Sequence, residues 1–148
     1  MADKIRLLIC GDRNWNSPEI IRQTLASLFD LSLIECVIEG ECRGADLQAR
    51  AVCESLGIPI LYSAPGIPGF PAPWEKYGKR AGIIRNRQML DEGKPNVVLA
   101  FHSDFKNSTG TKNMLAIASK AGILCYLHDG TSWSIVANAK CNARLDIF

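Results

Sequence analysis

The chain has 148 residues, enough for one domain with a substantial core. A net charge of +2, with 22% charged and 47% hydrophobic residues, is ordinary for a globular protein and too weakly basic for a nucleic-acid scaffold. No run of eighteen apolar residues exists for a transmembrane helix, and "MADKIRLLIC" lacks a signal-peptide pattern. A single cytoplasmic domain over 1–148 is therefore expected.

In chain order, "IRLLIC" (5–10) is, apart from Arg6, a continuous apolar run, which suits a strand buried on both faces. "SPEIIRQTLASLF" offers Ser17 as N-cap and Pro18 at the first helical position, with Ile21, Leu25 and Leu28 at helical spacing. "LIECVIE" (33–39) reads as a second strand. "GADLQARAVCESLG" reads as a helix with Leu47, Ala51 and Val52 inward and Gly57 as its stop. "IPILYS" (58–63) is the third expected strand.

Residues 64–73, "APGIPGFPAP", are too rich in proline and glycine for regular structure, and such a loop inside a domain is usually functional. A short helix is expected near 80–91, a fourth strand at 97–101 and a helix from about 110 to 121 that stops at Gly122. The fifth strand is 123–127, and an Asp-Gly turn then leads into a C-terminal edge strand. Five strands joined by helical crossovers imply an α/β fold, a Rossmann-like three-layer sandwich with a mainly parallel sheet.

The six cysteines form no CxxC pair and no Cys/His cluster, so neither a disulfide framework nor a metal site is indicated, and no cofactor is expected. Cys10, Cys36 and Cys125 fall in or beside strand-like runs and read as small hydrophobes. Cys42 lies beside a glycine-rich turn.

Chemistry-bearing residues collect after the strands: "GDRNW" (11–15), "EGECRGAD" (39–46), "PWEKYGKRAGIIRN" (73–86) and "HSDFKNSTGT" (102–111). Open parallel sheets bind ligands outside the carboxyl ends of their strands, so one site is expected there. Gly11 permits a sharp turn that presents Asp12 and Arg13, and the arginine suits a phosphate or carboxylate. Gly40 and Gly44 flank Arg43 in a second turn that runs into a helix N-terminus. Asp46, in that helix's first turn, either complements the helix dipole or accepts ribose hydroxyls. Asn86 lies on the apolar stripe of its helix beside Arg85, where a buried amide must find partners. Trp15 and Trp74 offer faces on which a purine can stack. Ser108, Gly110 and Thr111 open the last crossover helix as a phosphate turn.

In order and spacing, "GDRNW", "GECRGAD", "PWEKYGKRAGIIRNRQML" and "GTKNMLAIASKAGI" resemble the YspA-like branch of the SLOG superfamily, over residues 5 to 127. The superfamily includes the LOG phosphoribohydrolases and the DprA proteins and is related to nucleoside deoxyribosyltransferases. The resemblance implies a Rossmann-like domain that binds nucleotides or molecules derived from them. Some members are sensor domains for NAD-derived signals in anti-phage defence. Catalytic members carry a carboxylate four residues after the glycine of a "GT" motif, where this chain has Met114. The expectation is therefore binding, without turnover, of an ADP-ribose-like or cyclic nucleotide signal, which the protein sequesters or senses. The alternative is cleavage of an N-glycosidic bond, for which Glu39 and Asp46 are the first candidate carboxylates. The expected partner is a small molecule, not a membrane or a nucleic acid, and the protein is expected to form a homo-oligomer.

Overall fold

The computed structural model of the chain describes residues 3–138 and 143–144. Four strands run parallel at its centre: β1 (Ile5–Gly11), β2 (Ile34–Ile38), β5 (Val97–Phe101) and β6 (Leu124–His128). Strands β7 (Trp133–Asn138) and β8 (Ala143–Arg144) extend the sheet antiparallel beyond β6, giving the order β2-β1-β5-β6-β7-β8. The β6–β7 connection is the expected Asp-Gly hairpin. Asp129 Oδ1 accepts the backbone N–H groups of Thr131 (2.8 Å) and Ser132 (3.0 Å). The remainder of the expected C-terminal edge, 139–142 and 145–148, lies outside the described residues, as do residues 1–2.

Alternation along the strands builds two cores. Leu7, Ile9, Leu99 and Phe101 face α1 (Pro18–Leu28) and α2 (Ala45–Ser55). Leu8, Cys10, Val98 and Ala100 face α4 (Ala81–Gly93) and α5 (Gly110–Lys120). Every central strand is thus apolar on both sides, which is why these runs read as continuous. Helix α1 starts as the sequence requires, with Pro18 in its first turn and Ser17 Oγ accepting the Ile20 N–H at 3.2 Å.

Two expectations need correction. "IPILYS" is not a full third strand of the sheet. Residues 59–61 flank β2 through a single bridge, in which Val37 N–H donates to Pro59 O and Leu61 N–H donates to Val37 O, both at 2.9 Å. Pro59 has no N–H with which to continue a ladder. The chain turns instead into a separate small hairpin of β3 (Tyr62–Ala64) and β4 (Ile67–Pro68), so the Pro/Gly segment does hold regular structure. A one-turn helix, α3 (Trp74–Tyr77), follows it.

Helix α2 is also rotated from its expected phase. Leu47 and Ala51 are exposed, while Ala45, Asp46, Ala49, Val52 and Cys53 are buried. The helix packs so close to β1 that Ala45 Cβ lies 2.8 Å from where a side chain on Gly11 would begin. At its first turn the inward position is therefore a small residue, Ala45, not a large hydrophobic one.

Strand β1 connects to β2 on one side, and the chain later returns to β5 on the other. The connections leaving the carboxyl ends of β1 and β5 diverge, and a crevice opens between them.

Candidate functional site

The crevice is a cleft of about 500 Å³, within the usual range for a small-molecule site. Its geometry begins with close backbone approach. A side chain on Gly11 would overlap the Phe101 carbonyl oxygen, and glycine there lets Asp12 N–H donate to that oxygen at 2.9 Å, joining the ends of β1 and β5. Asp12 O in turn accepts Ala45 N–H at 3.0 Å. Gly44, at φ +82°, is needed because any side chain there would collide with that same Asp12 carbonyl. The first two loops are thereby locked together.

The second layer is a hydrogen-bond chain with Arg85 at its centre. Arg85 is buried; its Nη1 donates to the carbonyl oxygens of Gly40 and Phe70, and its Nε donates to Asn86 Oδ1 at 3.1 Å. Asn86 Nδ2 donates to Gly110 O and Asn113 Oδ1, both at 3.1 Å. The chain therefore runs from the β2–α2 loop through α4 to the start of α5, so Asn86 ties the loops from inside. A side chain on Gly40 would strike the Arg85 guanidinium.

Asp46 lies on the cleft, 5% exposed. Its Oδ2 accepts the N–H groups of Gly40 (3.2 Å) and Cys42 (3.3 Å). Burial pushes the carboxyl up to about 7, against the opposing pull of the Arg85 cation, with Glu39 adding to the rise.

The start of α5 forms another wall. No side chain caps this helix, and a side chain built on Gly110 would meet only open space. Its first N–H groups and the positive end of its dipole suit an anion. Ser108 and Thr111 line the cleft here, although the Ser108 hydroxyl already donates to Phe105 O at 2.7 Å. At the exposed rim, the Arg13 guanidinium lies over the Trp74 ring, 5.3 Å from its centre.

Of the residues expected at the site, Gly11, Asp12, Arg13, Arg43, Asp46, Trp74, Arg85, Asn86, Ser108, Gly110 and Thr111 line this one cleft. Gly40 and Gly44 do not line it but shape the loops that do. Trp15 is a correction. It is buried, packs on Phe101 (5.4 Å between ring centres) and donates from Nε1 to Ser17 O at 3.1 Å, so it offers no face to a base. Glu39 does not line the cleft either. It is fully buried and paired with Arg50 at 2.8 Å, and its carbonyl anchors Phe70 N–H at 2.9 Å. Met114 is enclosed in the core on the α4–α5 side.

Over 119 residues the chain is 34% identical to the Gene 61 protein of Mycobacterium phage D29, covering 80% of this chain and 91% of that protein. The chain belongs to the gene 61 family. No family model and no solved structure matches it.

The cleft of this family member also takes in Cys42 and residues that the sequence did not single out, among them Lys79 and His102. His102 Nδ1 accepts Asp104 N–H at 3.0 Å, which leaves Nε2 as the protonated nitrogen of the neutral ring. Its position directly after β5, inside a loop already suspected, was the available signal. Four cationic side chains (Arg13, Arg43, Lys79, Arg85) and two carboxylates (Asp12, Asp46) line the cleft, so it favours an anionic ligand. Among the described residues no group of three or more His, Cys, Asp or Glu side chains is placed to hold a metal ion, and no helix is long and apolar enough to cross a membrane.

Proposed function

We propose that this is a Rossmann-like nucleotide-binding protein that holds an ADP-ribose-like or cyclic nucleotide signal without turning it over. The observation that carries the reading is the uncapped start of α5, which faces a cation-rich cleft where the connections of β1 and β5 diverge. A phosphate fits against those N–H groups, and Trp74, stacked under Arg13 at the rim, suits a base. The phage source of the relative favours sequestration of a host signal over sensing. Small molecules released from the purified protein by heat are to be identified by mass spectrometry, and AMP and ADP-ribose titrated calorimetrically. Release of a nucleotide, or saturable binding of either probe, is expected; a protein that releases none and binds neither defeats the reading.

One observation favours a second reading, cleavage of an N-glycosidic bond. Asp46 is a cleft carboxyl that titrates at about 7, the range a general acid needs at neutral pH. Free base or ribose phosphate appearing on prolonged incubation with AMP, and absent with Asp46→Asn, would decide for it.

A further inference from the structure

The two oxygens of Asp46 have different surroundings. Oδ2 is occupied by the Gly40 and Cys42 N–H groups, whereas Oδ1 has no hydrogen-bond partner among the described residues. Nor is Oδ1 sealed away. Among the described residues, the side-chain polar atom that is both fully enclosed and unpartnered is Arg50 Nε. Oδ1 is therefore an open acceptor on the floor of the cleft, held on a residue that is itself 5% exposed. An acceptor this buried gains from a donor brought by a ligand, because water there is displaced when the cleft fills.

The chemistry of that donor can be narrowed. A ligand ammonium would meet Arg13, Arg43, Lys79 and Arg85 around the same cleft, so a cationic donor is disfavoured. A guanine edge pairs best with two carboxylate oxygens side by side, and here one is already taken by the backbone. What remains is a neutral hydroxyl donor, and one free oxygen can accept from a vicinal pair. We infer that Asp46 reads the ribose diol of the bound molecule and makes the cleft select ribonucleotides over 2′-deoxyribonucleotides. This rests on the nucleotide reading above and names the sugar class that it leaves open.

The test compares AMP, 2′-deoxy-AMP and GMP by calorimetry at pH 8, using the wild-type chain and Asp46→Asn. In the variant the amide oxygen can still accept the Gly40 and Cys42 N–H groups, while the cleft receives an NH₂ in place of an acceptor. The wild type should bind AMP about tenfold or more tightly than 2′-deoxy-AMP, as expected for a hydrogen bond to a charged group. In the variant that preference should fall below about threefold. Equal binding of AMP and 2′-deoxy-AMP by the wild type overturns the inference and leaves the nucleotide reading standing. A preference for GMP without a preference for ribose assigns Asp46 to a base edge and overturns it as well. Failure of every nucleotide to bind removes the nucleotide reading and this inference with it. The wild-type comparison decides even if the variant does not fold.

Discussion

Asp46 should make the stability of this protein fall as pH rises from about 4 to 7, and Asp46→Asn should remove most of that dependence. The carboxyl titrates at an ordinary 3.8 when unfolded and at about 7 in the folded chain, because burial outweighs the attraction of Arg85. Below pH 4 both states are protonated and the group is neutral in its effect. Between about pH 4 and 7 the unfolded chain ionises while the folded chain keeps its proton, so folding becomes steadily less favourable. Above 7 the cost levels off at about 4 kcal/mol, at about 1.4 kcal/mol for each pH unit of separation. This is a large share of the roughly 5–15 kcal/mol that holds a domain together. Arg85, Glu39 and the Cys10 thiol are the other groups coupled to Asp46, and the variant retains all three. The measurement is urea unfolding of both proteins at pH 5, 6, 7 and 8. The variant should gain on the wild type by about 1 kcal/mol per unit over the middle of this range and approach its full advantage of about 4 kcal/mol by pH 8. Parallel curves for the two proteins would refute the reasoning, since they would mean that Asp46 titrates normally in the folded state.

Arg13→Ala should weaken AMP binding about tenfold or more by calorimetry and leave the melting temperature unchanged, because Arg13 is an exposed rim residue whose packing partner is Trp74. Arg85→Ala should lower stability by about 3 kcal/mol in urea unfolding, since it strips the buried Gly40 and Phe70 carbonyls of their donor. Gly44→Ala should cost about 2 kcal/mol or more in thermal melts, from a positive φ combined with collision against the Asp12 carbonyl. Met114→Glu should destabilise the fold by several kcal/mol and yield no glycosidase activity by chromatography of an AMP incubation, because the position is enclosed in apolar side chains.

Much of the sheet was legible because its central strands are buried on both faces and so appear as apolar runs at 7–10, 97–101 and 123–127. The location of the cleft was legible for a related reason: in a parallel sheet every carboxyl-end loop opens on one side, and those loops held the polar and glycine-rich residues. Contact distance was not legible. Ala45 and Ala49 face the sheet, with Ala45 closely approaching Gly11, which leaves Leu47 outward and Asp46 in the cleft. Trp15 follows a glycine turn in a manner that suggests an exposed loop, yet the chain doubles back and lays the ring on Phe101 and His128. Glu39 lies in the loop that leads into α2 and Asp46, but it pairs with Arg50, one turn further along α2 than Asp46, and does not line the cleft.

The "GT" turn and the residue four positions after its glycine can now be treated separately. Gly110 and Thr111 open onto the cleft, but Met114 lies wholly within the core between sheet and helices. The register is fixed from both sides: Thr111, Met114, Leu115 and Ala118 form the buried face of α5, and Asn86 holds the helix start through Gly110 O and Asn113 Oδ1. Swinging position 114 toward the cleft would break the Asn86 contacts and expose Leu115 to water. A carboxylate at 114 therefore cannot serve the cleft while α5 keeps this register, and the methionine is a packing residue. The buried carboxyl of the cleft, Asp46, comes from the opposite side, on α2, with one oxygen bound by backbone and one left open. For the second reading proposed above, cleavage of an N-glycosidic bond, Asp46 is the cleft carboxyl whose raised pKa suits a general acid. In the ribose reading proposed above, the same open oxygen acts only as an acceptor.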